Sequence, residues 1–315
     1  MKIAGRTKIL QPEFIVEPYL GGVRVDSFLS RHLRNYTTWR LHRLVSAGLC
    51  WINDLPADPD QRVRRDQVVR IRLAEPPDKL LSPSSASVPI LYEDPWLLVV
   101  NKPAGMVAHP VGDYQDNTLT NVLQRHLDNQ TSQRGLLRAG IVHRLDRQTS
   151  GLLVVTRTHD GHREISADMQ AGRLKKSYLA LVEGQPDFNE RTINLPIGWH
   201  PAGRSVLMSA KPNARRQRSA LTQVRVLQRR RCVSLLECKL FTGRNHQIRV
   251  HLAECGHPIV GDEFYGSNGE IRSEPQRQSS PRRHALHAAF LQFRHPIFGR
   301  SLSFTAPPGH DFFEV

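Results

Sequence analysis

The chain has 315 residues, 39% of them hydrophobic, enough to bury a large core and a smaller second one, which excludes a disordered tail. Against 29 Asp and Glu stand 44 Lys and Arg, and the resulting +15 favours a polyanionic partner through counterion release. No long uncharged apolar run is present and residues 1–8 lack the apolar segment of a signal peptide, so we expect no membrane association and a cytoplasmic protein.

In chain order, Val25, Phe28, Leu29 and Leu33 recur at helical spacing. Thr38 is placed to cap a second helix carrying Leu41, Leu44 and Val45, which Gly48 ends. Residues 49–52 read as a strand entering a turn at Asn53-Asp54. Residues 69–73 alternate, with Val69, Ile71 and Leu73 inward and Arg70 and Arg72 forming a basic outer face. Proline and serine enrichment at 75–78 and 82–87 marks a linker. The expected division is a small α+β domain at 1–75, a linker at 76–87 and a larger domain at 88–315.

In the larger part, residues 88–92 and 96–100 are expected strands, and Asn117 is placed to cap a helix carrying Leu119, Val122 and Leu123. Further strands are expected at 152–156, 178–182, 222–227, 233–240 and 285–293. Strands in runs with helices interspersed irregularly argue for an α+β fold with a mixed sheet, not a doubly wound one. Two segments read as mobile insertions. Residues 211–231 hold no acidic residue and two arginine clusters, suited either to tracking phosphates or to a solvated loop; residues 267–283 are polar with two prolines.

Cys50, Cys232, Cys238 and Cys255 form no Cys-x-x-Cys pair and read as reduced thiols. A zinc site from Cys238, His246, His251 and Cys255 fits no standard spacing, and Cys238 lies in an alternating strand, so no metal is expected.

Chemistry concentrates in His143-Arg144-Leu145-Asp146-Arg147-Gln148-Thr149-Ser150-Gly151, which runs into the apolar residues 152–155. One carboxylate lies between two arginines in a turn ahead of a buried strand. Nearby cations lower its pKa and keep it ionised, as a nucleophile requires. The bland alternative is a turn Asp in a surface ion pair.

These nine residues resemble the signature of the RluA-type pseudouridine synthases. The likeness continues through residues 176–184, 242–252, 258–262 and 286–288, in the family's order, between Tyr92 and about Pro307. The N-terminal part resembles the small RNA-binding domain of small-subunit ribosomal protein four, on residues 24–29, 39–47 and 48–53. It departs from that pattern where Asp54 replaces Gly after Asn53 and where Arg65-Asp66 replaces Gly-Asp. The alternative there is a basic cap that packs on an enzyme.

The resemblance implies a pseudouridine synthase catalytic domain, α+β with a mixed, mainly antiparallel sheet, behind a small α+β RNA-binding domain. It implies isomerisation of uridines in structured RNA to pseudouridine, with ribosomal RNA as the favoured substrate and tRNA the alternative. A catalytically silent RNA-binding or ribosome-assembly factor is the competing function. Asp146 is the implied nucleophile. Arg249 is its implied guanidinium partner, leaving its helix by a face other than that of Ile248, Leu252 and Cys255. Tyr178, on composition alone a core aromatic, is implied to stack on the target base near the proton lost from ring carbon five. The uridine must leave its stack, and Arg144 is suited to fill the vacated space or hold a phosphate. Lys102 is expected to line the cleft. Arg244 is a second candidate cation, with Asn245 where the family commonly has Thr, and His143 and Arg147 complete the expected substrate contacts. Exchanging a carbon–nitrogen for a carbon–carbon glycosidic bond is neither a redox nor a phosphate-transfer reaction, so no cofactor is expected. Nothing demands more than a monomer.

Overall fold

The computed structural model describes residues 11–34, 36–73, 83–130, 139–201, 207–272 and 283–313. Residues 76–82 of the expected linker and 273–282 of the second expected insertion lie outside the described residues.

The N-terminal part holds strands β1 (Glu13–Ile15), β2 (Cys50–Ile52), β3 (Leu55–Pro56) and β4 (Val68–Ile71), in the order β1-β4-β2-β3, with helices α1 (Val25–His32) and α2 (Thr38–Ser46). The 3.6-residue recurrence read from the sequence puts Val25, Phe28 and Leu29 of α1 against Leu41, Leu44 and Val45 of α2 and against Val69 and Ile71 of β4 in one buried cluster. Thr37, not Thr38, caps α2: Thr37 is extended, so its hydroxyl reaches the Arg40 amide at 3.0 Å, whereas Thr38 is already helical. Asn53 and Asp54 take φ of 46° and 66°, the left-handed pair of a two-residue hairpin turn, even though Asp54 stands where glycine is usual. The Asp54 carboxylate accepts from Arg70 at 2.7 Å, and Arg70 also donates to Glu13 at 2.9 Å. The expected basic outer face is therefore neutralised at Arg70.

The larger part comprises β5 (Ile90–Glu93), β6 (Leu97–Lys102), α3 (Leu119–Asp128), β7 (Gly140–Ile141), β8 (Ser150–Thr156), α4 (His159–Gln170), β9 (Lys175–Glu183), β10 (Glu190–Asn194), β11 (Ile197–Trp199), β12 (Met208–Ser209), β13 (Arg215–Arg218), β14 (Leu221–Arg229), β15 (Val233–Leu240), α5 (Gln247–Glu254), β16 (Leu286–Arg294) and β17 (Ser301–Thr305). Ten strands form one sheet with the path β10-β14-β15-β9-β16-β8-β6-β5, β7 adding to β8 and β17 to β16. Among the described strands only β8 and β16 run parallel, so the sheet is mixed and mainly antiparallel, as expected. Its centre is covered on both faces, which is why β6 and β8 read as continuous apolar runs. Leu98, Val100, Leu153 and Val155 meet Leu119, Leu123 and Leu127 of α3, while Leu97, Val99, Leu152 and Val154 meet Ile165 of α4. Gly151 stands at the parallel join with φ of +116°, and a Cβ there would come within 2.4 Å of the Ala288 carbonyl oxygen, so no larger residue fits.

Two further expectations are corrected. Thr118, not Asn117, caps α3 in a capping box with Asn121, whose side chain accepts from the Thr118 amide at 3.1 Å. Asn117 stays outside the helix and accepts from the Ser84 hydroxyl at 2.6 Å, which packs this linker residue onto the core. The supposed mobile segment 211–231 consists largely of β13 and β14. β14 lies inside the main sheet, and β13 joins β11 and β12 in a small sheet of three strands. All four residues of β13 are exposed, so pairing with β11, and no apolar pattern, makes it a strand.

Candidate active site

Asp146 lies in the turn that feeds β8, where the Thr149 amide donates to its carbonyl at 3.1 Å. Below that turn, the last residue of β6, Lys102, is fully buried, and its ammonium donates to the carbonyls of Pro103 at 2.8 Å, Met106 at 2.9 Å and Arg147 at 3.2 Å. Burial lowers its pKa to about 7 against the opposing pull of the Asp146 charge. The expected place of Lys102 in the cleft lining is thus corrected: three loop carbonyls converge inward and need a donor, and Lys102 clamps the Asp146 turn from inside.

Helix α5 presents Arg249. Residues 247–253 are all buried, so α5 is a central helix, and Arg249 is held by carboxylates. Its guanidinium donates to both oxygens of Asp262, at 2.7 and 2.8 Å, and its remaining nitrogen donates to Asp146 Oδ2 at 3.1 Å. The rings of Tyr265 and Phe264 flank it at 5.1 and 5.3 Å. Asp262 is further fixed by the amides of Phe264 and Tyr265. Burial alone would raise the Asp262 carboxyl, but Arg249 overrides it and holds the group at about 2.

His246 approaches Asp146 from the other side, its Nε2 3.9 Å from Oδ2. The Tyr265 hydroxyl accepts from the Met208 amide at 3.0 Å and shares a hydrogen bond with His246 Nδ1 at 2.7 Å. Burial pushes His246 down to about 4 and His284 to about 3, leaving both neutral near pH 7. For Asp146, burial pushes the pKa up, but His246, Arg249 and His284 more than offset it, and the result lies below the usual carboxylate value. With both imidazoles neutral, Arg249 is the charge that keeps Asp146 ionised. Arg249 donates to Oδ2, and among the described residues Oδ1 accepts no hydrogen bond.

Tyr178 enters from β9, 5% exposed, between Cys238 of β15 and Ala288 of β16. Its phenol pKa is raised by burial and by Asp146, so the hydroxyl keeps its proton, and it makes no hydrogen bond among the described residues. Asp146, Tyr178 and Arg249 line one cleft of about 1290 Å³, together with His143, Arg144 and Arg244. Arg144 is exposed and donates to Asn245 at 3.1 Å; Arg244 donates to the Ser219 carbonyl at 2.9 Å. His143 is buried, and burial together with the charge of Lys176 pushes its pKa well down, leaving it neutral. Arg147 is not in the lining: it donates to the Tyr114 hydroxyl at 3.0 Å and lies over that ring. Asp146 is the sole carboxylate among the described lining residues, against Arg144, Lys175, Lys176, Lys239, Arg244 and Arg249. Of the residues weighed for zinc, Cys238 is buried in β15, and His251 lies between the Thr222 hydroxyl and the Leu195 carbonyl.

Sequence reasoning missed Asp262, His246, Tyr265 and Lys176. Asp262 and His246 stood inside the quoted motifs, and a fully buried Arg249 demands more counter-charge than one half-open carboxylate supplies.

Comparison with known proteins agrees with this geometry. The family model for RNA pseudouridylate synthase matches residues 96–254. The chain is 36% identical over 301 residues to a protein of Neisseria meningitidis named ribosomal large subunit pseudouridine synthase D, covering 94% of this chain and 78% of that one. A protein of the same name from Zymomonas mobilis is 35% identical, covering 92% of each. A protein of Aquifex aeolicus named uncharacterized RNA pseudouridine synthase is 34% identical, covering 89% of each. Among solved structures, human RNA Pseudouridylate Synthase Domain Containing 1 matches with a TM-score of 0.56 and 29% identity, covering 72% of this chain and 86% of that one. This chain therefore belongs to the RNA pseudouridylate synthase family and is an enzyme that isomerises uridine in RNA to pseudouridine.

Proposed function

We propose that the substrate is ribosomal RNA of the large subunit, with Asp146 as nucleophile, Arg249 as its charge partner and Tyr178 against the target base. The observation that carries this reading is the Arg249–Asp146 contact at 3.1 Å inside a cleft that Tyr178 also lines. The relatives named for the large subunit supply the substrate.

In the reaction the bond from ribose C1′ to uracil N1 breaks, the base turns, a bond from C1′ to C5 forms, the C5 proton leaves and N1 gains one. Composition is unchanged, and the residues described above suffice without a cofactor. The ionised Asp146 carboxylate meets the ribose through Oδ1, whether by attack at C1′ or by removing the C2′ proton. Arg249 holds Oδ2, and the neutral His246 imidazole lies 3.9 Å from it. Tyr178, protonated, presents a neutral hydroxyl and a ring face to the base. Arg144, exposed at the cleft, is available for the space a flipped nucleotide vacates. Residues 1–75 serve as an RNA-binding module joined through 76–87 to a catalytic domain at 88–315, and the protein acts in the cytoplasm as a monomer.

The test is pseudouridine mapping of total RNA from cells lacking this protein, complemented with wild type or Asp146→Asn. Large-subunit sites should vanish and return with wild type alone. Restoration by Asp146→Asn would overturn the nucleophile, and loss confined to tRNA sites would overturn the substrate.

A further inference from the structure

Trp199 and Phe241 both line the cleft, yet they are 42% and 59% exposed. Among the described residues neither stacks on another ring or carries a cation over its face. Their presentation is built into the backbone. The register of β11 against β13 shifts between Ile197 and Trp199, opposite Arg216 at φ of +53°. A Cβ on Gly198 would lie 2.4 Å from the Arg215 carbonyl oxygen, so this close approach needs glycine. The extra residue lies in β13, where Arg215 to Arg218 oppose what β11 covers from Ile197 to Trp199. Phe241 directly follows β15, its amide tied to the Leu221 carbonyl at 3.2 Å while its ring is left in solvent.

Exposed aromatics beside a recess mark a binding surface. Here the surroundings are cationic: Lys175, Lys239 and Arg244 share the lining, and its single carboxylate is Asp146. An apolar ligand or an ordinary protein surface would leave that charge unanswered. A strand of unpaired nucleotides answers both features, with phosphates for the cations and base faces for the rings. We propose that Trp199 and Phe241 form a stacking subsite for unpaired bases adjoining the uridine that enters at Asp146. This rests on the reading of the cleft as an RNA site. Because every base has a π-face, the subsite selects an unpaired flank and not a base identity.

The test uses short single-stranded RNA carrying 2-aminopurine next to uridine, whose fluorescence falls on stacking. Wild type should quench it. Trp199→Ala and Phe241→Ala should each weaken binding by roughly tenfold and the double variant by more, while Trp199→Phe and Phe241→Tyr restore it. A fully base-paired RNA should bind wild type and the double variant equally. Absence of quenching by wild type, or equal quenching by the double variant, would overturn the subsite. Pseudouridine formation is measured separately: quenching without product counts against the activity alone, and product without quenching counts against the subsite alone.

Discussion

The N-terminal part and the catalytic cleft are both rich in arginine and lysine, but the cations are spent differently. In the N-terminal part Arg70 meets Glu13 and Asp54, Arg24 meets Asp26 and Asp60, and Arg65 meets Asp66. Among the described lining residues of the cleft one carboxylate stands with six cationic side chains, of which Arg249 is already paired with Asp262. Net charge therefore locates no RNA surface by itself; what matters is the charge left over after local pairing. Exposed pairs contribute only about 0–1 kcal/mol, so the N-terminal carboxylates cost little and mask much.

The sharpest way to break this contrast is at its one carboxylate. Asp146→Asn should lower turnover by roughly 10⁴-fold or more in a single-turnover assay with RNA-binding affinity retained; an active variant would remove the chemical meaning of the cleft. Tyr178→Phe should cost about 10²- to 10⁴-fold in turnover with dissociation constants unchanged. Arg249→Met strands two carboxylates, one fully buried, and should destabilise the fold by about 3–5 kcal/mol in urea titration. Asp262 adds a pH signature. Its folded pKa of about 2 lies below the ordinary 3.8, so its stabilisation is complete above about pH 4 and is lost as pH falls toward 2. Asp262→Asn should flatten that acid-side loss, and an unchanged profile would remove Asp262 as its source. The smallest effect compares the two regions directly. Lys239→Ala should reduce the slope of log affinity against log salt by about 1, whereas Arg70→Ala should leave it nearly unchanged. Equal slopes would erase the distinction.

Much of this was legible in the chain. The continuous apolar runs of β6 and β8, and the helical recurrence of Phe28 and Leu29, follow from burial, and burial is what apolar spacing encodes. The turn bearing Asp146 was legible for a similar reason, lying between charged residues and an apolar strand. The direction of Lys102 was not, since nothing near Asn101-Lys102-Pro103 reveals that three carbonyls converge beneath it. Arg215 to Arg218 looked like a loop because hydrogen bonds to a neighbouring strand carry no signature in composition. The caps slipped by one residue at Thr37 and Thr118 because adjacent polar residues compete, and only backbone torsion decides between them. Asp262 was visible as a residue but not as a partner, its contact with Arg249 being set by tertiary packing.

The bridge from Asp262 through Arg249 to Asp146 has unequal stoichiometry: two anions share one guanidinium. The inner carboxylate takes the bidentate contact, and the outer one keeps a single donor from the same guanidinium. Asp146 is thereby stabilised as an anion without being fully neutralised, so part of its charge is left for whatever enters the cleft.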